Sequence, residues 1–254
     1  MAVQQSTRRP TVFVTGASQG IGAGIAVEMA RQGYDVAVSS TQPEKLSPVL
    51  DAIKAAGARA LPVELEIRDQ SSIERAMAAV TGEFGELDVL VNNAALALRK
   101  PALEFTPQEW NDVIGTGLTG TFFMSQAMGR HLIAQKRGGS IISITSTHGM
   151  VALADRSAYG IAKAGVIHMA RMLAIEWAEH GIRVNTVAPG AVVTPARATM
   201  PMAPDHAEKR MARIPMKKLC TVDDVAAAVA YLASPQAAYI TGQTLVLDGG
   251  VTSQ

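Results

Sequence analysis

Tyr159 and Lys163, in the segment YGIAK, form a pair whose spacing suits proton transfer. In a helix, residues four positions apart share one face. An ammonium beside a phenol favours the phenolate and lowers the tyrosine pKa from about 10, which a general acid and base needs near neutral pH. Ser146 adds a hydroxyl that can hold a carbonyl oxygen. Tyrosine and lysine also meet by chance on many helices, so the pair needs support from the rest of the chain.

A glycine-rich turn, TGASQGIG, occupies residues 15–22. It follows a β-branched apolar run and precedes a helical pattern, where glycines let a backbone approach a pyrophosphate at a helix N-terminus. The spacing is G-x-x-x-G-x-G, which differs from the usual Rossmann G-x-G-x-x-G. The turn therefore predicts a dinucleotide site, although a turn without ligand has the same composition.

The same turn also contains G-x-S-x-G, centred on Ser18, in the strand-turn-helix context of a hydrolase nucleophile elbow. A serine nucleophile needs a histidine base and an acidic partner. None of the 5 histidines lies in a motif that supports such an assignment. A Ser18 hydrolase is therefore the more remote alternative.

An asparagine pair, Asn92-Asn93, follows the fourth strand-like run, at the edge where ligands of parallel sheets bind. Its amides can order a cofactor-binding loop. Asparagines after a strand also serve simply as turn residues.

The segments that position these residues alternate between strand and helix. Strands are predicted at residues 11–15, 36–39, 60–65, 87–91, 140–145, 183–188 and 244–248. Helices are predicted at residues 21–30, 43–56, 71–84, 107–135, 157–180 and 222–232. This alternation predicts an α/β fold, a doubly wound, Rossmann-like parallel sheet with helices on both faces. We find no linker and expect one domain over residues 1–254.

The composition favours a small-molecule partner. Hydrophobic residues make up 48% of the chain, and 23 Lys+Arg against 22 Asp+Glu leave a net charge of +1, so no global field attracts nucleic acid or a membrane. The N-terminal residues lack a signal-like apolar region, and Cys220 has no disulfide partner, so we expect a cytoplasmic protein. Metal-ligand spacing is absent, and we predict no catalytic metal.

A Pro- and Met-rich segment at residues 195–215 stands apart from the alternation. Methionine adapts to varied apolar ligands, so the segment is predicted to cover the substrate as a lid. A surface excursion is the alternative.

In combination, these motifs resemble the short-chain dehydrogenase/reductase family, single-domain branch, with a general likeness to 3-oxoacyl-carrier-protein reductases. The matching positions are residues 15–22, Asn92-Asn93-Ala94, Ser146, Tyr159 with Lys163, Pro189-Gly190 with Thr194, residues 241–243 and residues 248–250. The resemblance implies an oxidoreductase that moves a hydride between a nicotinamide cofactor and a ketone or secondary alcohol.

The resemblance also implies a role for each matching residue. Ser146 would position the substrate, Tyr159 would be the acid and base, and Lys163 would support it. Cofactor contacts would come from Gly16, Ser18, Gly20, Ile21 and Gly22 at the phosphates and ribose, Asn92 and Ala94 on the adenosine side, Pro189, Gly190, Val192 and Thr194 around the nicotinamide, and Tyr159 and Lys163. Family members are usually homotetramers, sometimes dimers, paired through the two long helices starting at Pro107 and Ser157.

Two positions depart from the family pattern. Ala95 replaces the glycine of Asn-Asn-Ala-Gly, a small change. Gly117 replaces an asparagine that supports a water-linked proton relay to the lysine, and a glycine within a helix costs about 1 kcal/mol relative to alanine. We expect a locally distorted helix and retained but altered activity. The alternative is a dinucleotide-binding protein with weak or no turnover.

The choice of cofactor depends on the end of the second strand, where Ser40 stands. An acidic residue there would bind the ribose hydroxyls of NAD and repel the extra phosphate of NADP. The hydroxyls of Ser39, Ser40 and Thr41 carry no charge, so NADP is expected over NAD. His148, close to Ser146, is interpreted as a surface or packing residue.

Overall fold

The computed structural model describes residues 8–194 and 211–253. In these ranges the strands are β1 (Thr11–Val14), β2 (Asp35–Ser40), β3 (Ala60–Glu64), β4 (Val89–Asn92), β5 (Gly139–Ile144), β6 (Ile182–Pro189) and β7 (Thr244–Leu247). The helices are α1 (Gly20–Arg31), α2 (Ser47–Ala55), α3 (Gln70–Phe84), α4 (Pro107–Ile114), α5 (Gly120–Ala134), α6 (Ser157–Trp177) and α7 (Val222–Ala233). The predicted alternation of strands and helices is confirmed, with strand bounds that shift by one or two residues.

All strand pairings in the described chain are parallel, in the order β3-β2-β1-β4-β5-β6-β7. The chain moves outward from β1 to β3 and then returns to place β4 on the other side of β1. The carboxyl ends of β1 and β4 therefore diverge into separate loops at a topological switch point, where α/β sheets bind ligands. The doubly wound, Rossmann-like class predicted from the sequence is confirmed.

The sheet is covered on both faces because successive strand residues point in opposite directions. In β1, Val12 and Val14 pack with α1, α2 and α7, whereas Phe13 packs on the opposite face with α3, α5 and α6. All three side chains are fully buried. The two cores fix both helical layers against the strands that carry the predicted site.

The predicted helix at residues 107–135 is interrupted by a π-helical segment, Gly115–Thr119, which joins α4 to α5. The Gly120 amide donates to the Gly115 carbonyl, five residues earlier. The distortion expected at Gly117 is therefore present, and it widens the helix by one residue without breaking it. π segments inside helices are rare and often accompany functional sites.

Smaller differences concern helix ends. The predicted helix at residues 43–56 begins with a 3-10 turn, Pro43–Leu46, and continues as α2. The last turn of the predicted helix at residues 157–180 is also 3-10, at Ala178–His180. Most of the predicted lid, residues 195–210, lies outside the described residues.

Candidate active site

The glycine-rich turn connects β1 to α1 and lies against the loop that follows β4. Gly16 and Gly20 have φ values of +64° and +61°, in the left-handed region that favours glycine. A Cβ on Gly16 would lie 2.8 Å from the Ala94 Cα, and one on Gly22 would lie 2.5 Å from the Asn93 Nδ2. The two loops are therefore so close that these positions admit only glycine.

Asn93 joins the two loops by hydrogen bonds. Its Nδ2 donates to the carbonyl oxygens of Thr15 (3.1 Å) and Gly16 (2.8 Å). The Thr15 hydroxyl in turn accepts from the backbone N–H groups of Asn93 (3.0 Å) and Ala94 (3.1 Å). These reciprocal hydrogen bonds fix the glycine-rich turn, at the N-terminus of α1, against the loop that follows β4.

The N-terminus of α1 is suited to an anion. The N-cap residue Gln19 makes no side-chain hydrogen bond to the first turn, and that turn carries no acidic residue. The N–H groups of the first turn are thus left for a ligand, and the helix dipole favours a negative charge there. Ser18, Gly20, Ile21 and Gly22 lie at this position, as predicted for residues that contact a pyrophosphate.

Asn92, the last residue of β4, is turned away from this turn. Its Nδ2 donates to the hydroxyls of Ser125 on α5 (2.9 Å) and Ser143 on β5 (3.3 Å), and its side chain is buried. Within the described residues its Oδ1 has no hydrogen-bond partner. The side chain of Asn92 therefore braces the sheet interior, so a cofactor contact from this residue would come from its backbone.

The end of β2 lies beside the glycine-rich turn. The Ser39 carbonyl accepts from the Ala17 N–H at 2.9 Å, while the Ser40 hydroxyl accepts from the Gln42 N–H at 3.1 Å. Residues 39–42 read SSTQ, so this end of the strand offers hydroxyls and amides and carries no carboxylate.

Ser146 and Lys163 come together where β5 ends and α6 begins. The Lys163 side chain is buried, and its Nζ donates to the Ile144 carbonyl at 2.7 Å and lies 5.7 Å from the centre of the Tyr159 ring. Burial lowers the pKa of the Lys163 ammonium to about 8. Ser146 follows β5 and is also buried. Lys163 therefore lies beside Tyr159 and is bonded to the strand end two residues before Ser146, and we call these three residues the predicted catalytic cluster.

Gly117, in the π segment, faces α6 next to this cluster. A Cβ on Gly117 would lie 3.3 Å from the Ala162 Cβ, and Ala162 directly precedes Lys163. The Thr121 hydroxyl donates to the Gly117 carbonyl at 3.2 Å. The position thus has room for a small side chain only if α6 yields by a few tenths of an ångström.

The loop after β6 carries the residues predicted near the nicotinamide. The Gly190 N–H donates to the Leu247 carbonyl, and Val192 pairs with Cys220 in an isolated bridge. Thr194 reaches the glycine-rich turn, because a Cβ on Gly20 would lie 3.7 Å from the Thr194 Cγ2. The loops after β1, β4, β5 and β6 therefore meet at one edge of the sheet.

Within residues 8–194 and 211–253, no group of three or more His, Cys, Asp and Glu side chains is arranged to hold a metal ion. None of the helices in these ranges combines the length and apolar character needed to cross a membrane.

Comparison with known proteins decides the family. A family model described as enoyl-(acyl carrier protein) reductase matches residues 16–252. The chain is 38% identical to the 3-oxoacyl-(acyl-carrier-protein) reductase FabG of Staphylococcus aureus over 242 residues, which are 95% of this chain and 97% of that protein. The chain belongs to the short-chain dehydrogenase/reductase family. The resemblance inferred from the motifs is confirmed.

Two further similarities place the chain among oxidoreductases of this family. The FabG reductase of Escherichia coli is 39% identical over 239 residues, which cover 94% of this chain and 96% of that protein. The crystal structure of a putative short-chain alcohol dehydrogenase from Sinorhizobium meliloti 1021 superposes with a TM-score of 0.94, at 34% identity and 98% coverage of both chains.

The short-chain dehydrogenase/reductase family uses a nicotinamide dinucleotide, and the residues present here fit one. The glycine-rich turn and the uncapped first turn of α1 form a cradle for a phosphate group, and the glycines at positions 16 and 22 let this turn pack directly on the loop after β4. Three further residues shape this cradle and the cluster. Thr15 belongs to the glycine-rich motif, but the sequence did not predict the role of its hydroxyl. Ser125 acts through a hydroxyl buried by tertiary packing and Ile144 through its carbonyl, so no motif marks these two.

Proposed function

We propose that this short-chain dehydrogenase/reductase catalyses hydride transfer between NADP(H) or NAD(H) and a ketone or secondary alcohol. The observation that carries the proposal is the buried Lys163 ammonium beside the Tyr159 ring, at the edge of the sheet where the glycine-rich turn also lies. A buried ammonium next to a phenol does not serve to stabilise the fold, because burying a charge costs free energy.

Each of the three side chains has a chemical role in this proposal. A nicotinamide cofactor, when bound, would supply or accept the hydride. Tyr159 donates a proton to the oxygen of the developing alkoxide, and the ammonium of Lys163 stabilises the phenolate that remains. The Ser146 hydroxyl accepts a hydrogen bond from the His148 N–H at 3.2 Å, and its own O–H would donate to a substrate oxygen.

The cofactor contacts are proposed at the positions predicted from the sequence. Gly16, Ser18, Gly20, Ile21 and Gly22 would hold the phosphates and ribose, and the backbone around Asn92 and Ala94 the adenosine side. The loop after β6, with Pro189, Gly190, Val192 and Thr194, would flank the nicotinamide. Ser18 is thereby a cofactor contact and not a hydrolase nucleophile.

NADP is proposed over NAD. The support is the end of β2, where Ser40 presents a hydroxyl and no carboxylate stands to repel a 2′-phosphate. The carbonyl substrate is left at the level of its class. The S. aureus and E. coli relatives are named for 3-oxoacyl groups, so 3-oxoacyl esters are the first compounds to try.

A homotetramer, or a dimer, paired through α5 and α6 is also proposed. Met172 and Ile175 on α6 are 52% and 80% exposed, beside a cleft of about 390 Å³ lined by Phe122, Met169 and Trp177. Such an apolar helical face suits a second copy of the chain. Ile175→Glu should lower the mass measured by light scattering, and an unchanged mass would contradict pairing through this face.

The function is tested by following NADPH and NADH consumption against a panel of ketones and 3-oxoacyl esters. Tyr159→Phe should lower kcat by about 10²- to 10⁴-fold while NADPH still binds. The matched control is Tyr239→Phe, because Tyr239 is fully exposed, and it should behave as the parent. Loss of turnover in both variants, or in neither, would contradict the assignment of Tyr159.

A binding protein with little turnover is the second candidate, favoured by Gly117 at the position of the relay asparagine. It predicts that the parent binds NADPH and consumes none with any substrate, whereas Gly117→Asn becomes active. Consumption by the parent decides against it.

A further inference from the structure

The 3-10 turn Thr147–Gly149, between β5 and α6, is fitted to α6 at two glycines. A Cβ on Gly149 would lie 2.8 Å from the Ala164 nitrogen and the Lys163 carbonyl carbon, and one on Gly160 would lie 2.9 Å from the His148 carbonyl oxygen. Each element therefore touches the backbone of the other. The turn has a single position relative to Tyr159 and Lys163, because close-packed backbone contacts leave no room to slide.

His148, in the middle of this turn, contacts two members of the catalytic cluster. Its backbone N–H donates to the Ser146 hydroxyl at 3.2 Å. Its imidazole meets the Tyr159 ring edge to face, with ring centres 6.3 Å apart and planes inclined by 75°. The interpretation of His148 as a surface or packing residue, made from the sequence, overlooks both contacts.

The position of the imidazole relative to the phenol is what matters for the reaction. The Tyr159 ring has the Lys163 ammonium 5.7 Å from its centre and the His148 ring as a second neighbour. Beyond His148 lies an open cavity of about 280 Å³, lined also by Met150, Val151 and other largely apolar residues. Without the imidazole, the Tyr159 ring would lose this edge-to-face neighbour.

We propose that His148 is a positioning residue, whose ring holds the Tyr159 phenol in the orientation needed for proton transfer. The proposal rests on the function proposed above and deepens it. Aromatic pairs at this distance and inclination attract each other through their ring quadrupoles, whatever heteroatoms the second ring carries. A phenylalanine should therefore replace His148, whereas an alanine should not.

Kinetics distinguish positioning from a general structural role. His148→Ala should lower kcat by about 10- to 100-fold, the loss expected when a reacting group is misplaced by a fraction of an ångström to an ångström. Its dissociation constant for NADPH, measured by fluorescence without substrate, should stay that of the parent. His148→Phe should keep kcat within about threefold of the parent, since the ring contact remains. The control is His180→Ala, because His180 is exposed beyond α6.

A second measurement needs no turnover. The chain has 4 tyrosines, so a protein labelled only at the tyrosine ring gives few signals, and Tyr159→Phe identifies the one from Tyr159. His148→Ala should shift and broaden this signal in the cofactor-free protein, and His148→Phe should leave it narrow. His180→Ala should not change it.

The outcomes separate this proposal from the proposed function. If the parent reduces no carbonyl compound but the Tyr159 signal responds to His148→Ala, the reductase is wrong and the ring contact stands. If His148→Ala leaves both kcat and the signal unchanged, the positioning role is overturned. It is overturned as well if His148→Phe loses as much activity as His148→Ala, because the imidazole nitrogens then carry the effect.

Discussion

The Lys163 ammonium and the Ile144 carbonyl oxygen lie 2.7 Å apart in the protein interior. This bond ties the second turn of α6 to the last residue of β5, where the chain leaves the sheet towards Ser146. The carbonyl at the end of a strand thereby aims a cation at the Tyr159 ring. The same bond only partly offsets the free energy needed to bury the charge, and the first two predictions follow from that cost.

Lys163→Met should stabilise the protein at pH 7. Burial lowers the pKa of Lys163 from 10.5 to about 8, so charging this group in the folded state costs on the order of 3 kcal/mol. The lost bond to Ile144 offsets about 1 kcal/mol of the gain. The free energy of unfolding, measured with urea at pH 7, should therefore be higher for Lys163→Met than for the parent. Lys54→Met, at an exposed position of α2, should leave it unchanged.

The advantage of Lys163→Met should shrink as the pH rises above 8. Because the folded-state pKa lies below that of the unfolded chain, the unfolded state binds more protons between about pH 8 and pH 10.5, and the stability of the parent rises across that window. Unfolding curves at pH 7 and pH 10 measure the change. A constant difference between variant and parent would contradict the buried ammonium.

Carbonyl reduction should weaken above about pH 8. The ammonium that stabilises the Tyr159 phenolate loses its proton there, because its pKa is about 8. A plot of kcat/KM between about pH 6 and pH 10 should fall on the alkaline side. A profile that stays level through pH 8 would argue that Lys163 is not the electrostatic partner.

Gly22→Ala should abolish dinucleotide binding without unfolding the chain. Its Cβ would lie 2.5 Å from the Asn93 Nδ2 and 2.6 Å from the Gly16 oxygen, so the two loops must separate. NADPH fluorescence titration measures the loss. The matched control is Gly82→Ala in α3, where a Cβ meets nothing within 4 Å, and it should add about 0.5–1 kcal/mol of stability.

Gly117→Asn should raise kcat, whereas Gly117→Ala should not. Both add a Cβ 3.3 Å from the Ala162 Cβ, and only asparagine restores an amide able to hold a water in the relay. We expect a rise of roughly 10-fold, which is below the roughly 10²- to 10⁴-fold contributed by a group that transfers the proton itself, because the asparagine would act only through a water. Equal effects from the two substitutions would assign the change to crowding against α6.

Ser40→Asp should shift preference from NADPH to NADH by roughly 10- to 100-fold in kcat/KM, because a carboxylate at the end of β2 repels a 2′-phosphate. The ratio of kcat/KM for the two cofactors measures the shift. A parent that already prefers NADH would contradict the interpretation of Ser40.

The strand and helix pattern was predictable because it depends on local periodicity. Strands β1 (TVFV) and β4 (VLVN) are mainly apolar, and α6 begins and ends within a few residues of its predicted bounds. The helix distortion was also expected, since a glycine inside a helix, here Gly117, costs about 1 kcal/mol relative to alanine. Its π geometry was not, because widening by one residue depends on how α4 and α5 dock separately.

The site was predictable only where residue type carries the chemistry. Tyr159 and Lys163 have side chains that can transfer and stabilise a proton, and they were recognised because the other motifs of the chain support the pair. Asn92 and Asn93 are chemically identical, yet one braces the interior and the other clasps the glycine-rich turn. The two roles differ because successive residues at the end of β4 point in opposite directions. The sequence pattern does not show at which residue β4 ends, so it does not assign the roles. The contact of His148 with Tyr159 was missed because contacts between rings follow no fixed spacing in the sequence.

The hydrogen bonds from Asn93 to the glycine-rich turn join residues that are 77 and 78 positions apart in the chain. The β1-α1-β2 unit can form early from local contacts, but its glycine-rich turn lacks the hydrogen bonds from Asn93 until β4 has paired with β1. During synthesis, the loop for the dinucleotide therefore matures only after the strand that follows α3 has been made. Binding of the dinucleotide would then indicate that strands β1 to β4 have paired. A dinucleotide that binds only after Asn93 has bonded to the glycine-rich turn would also shift the folding equilibrium towards the folded state.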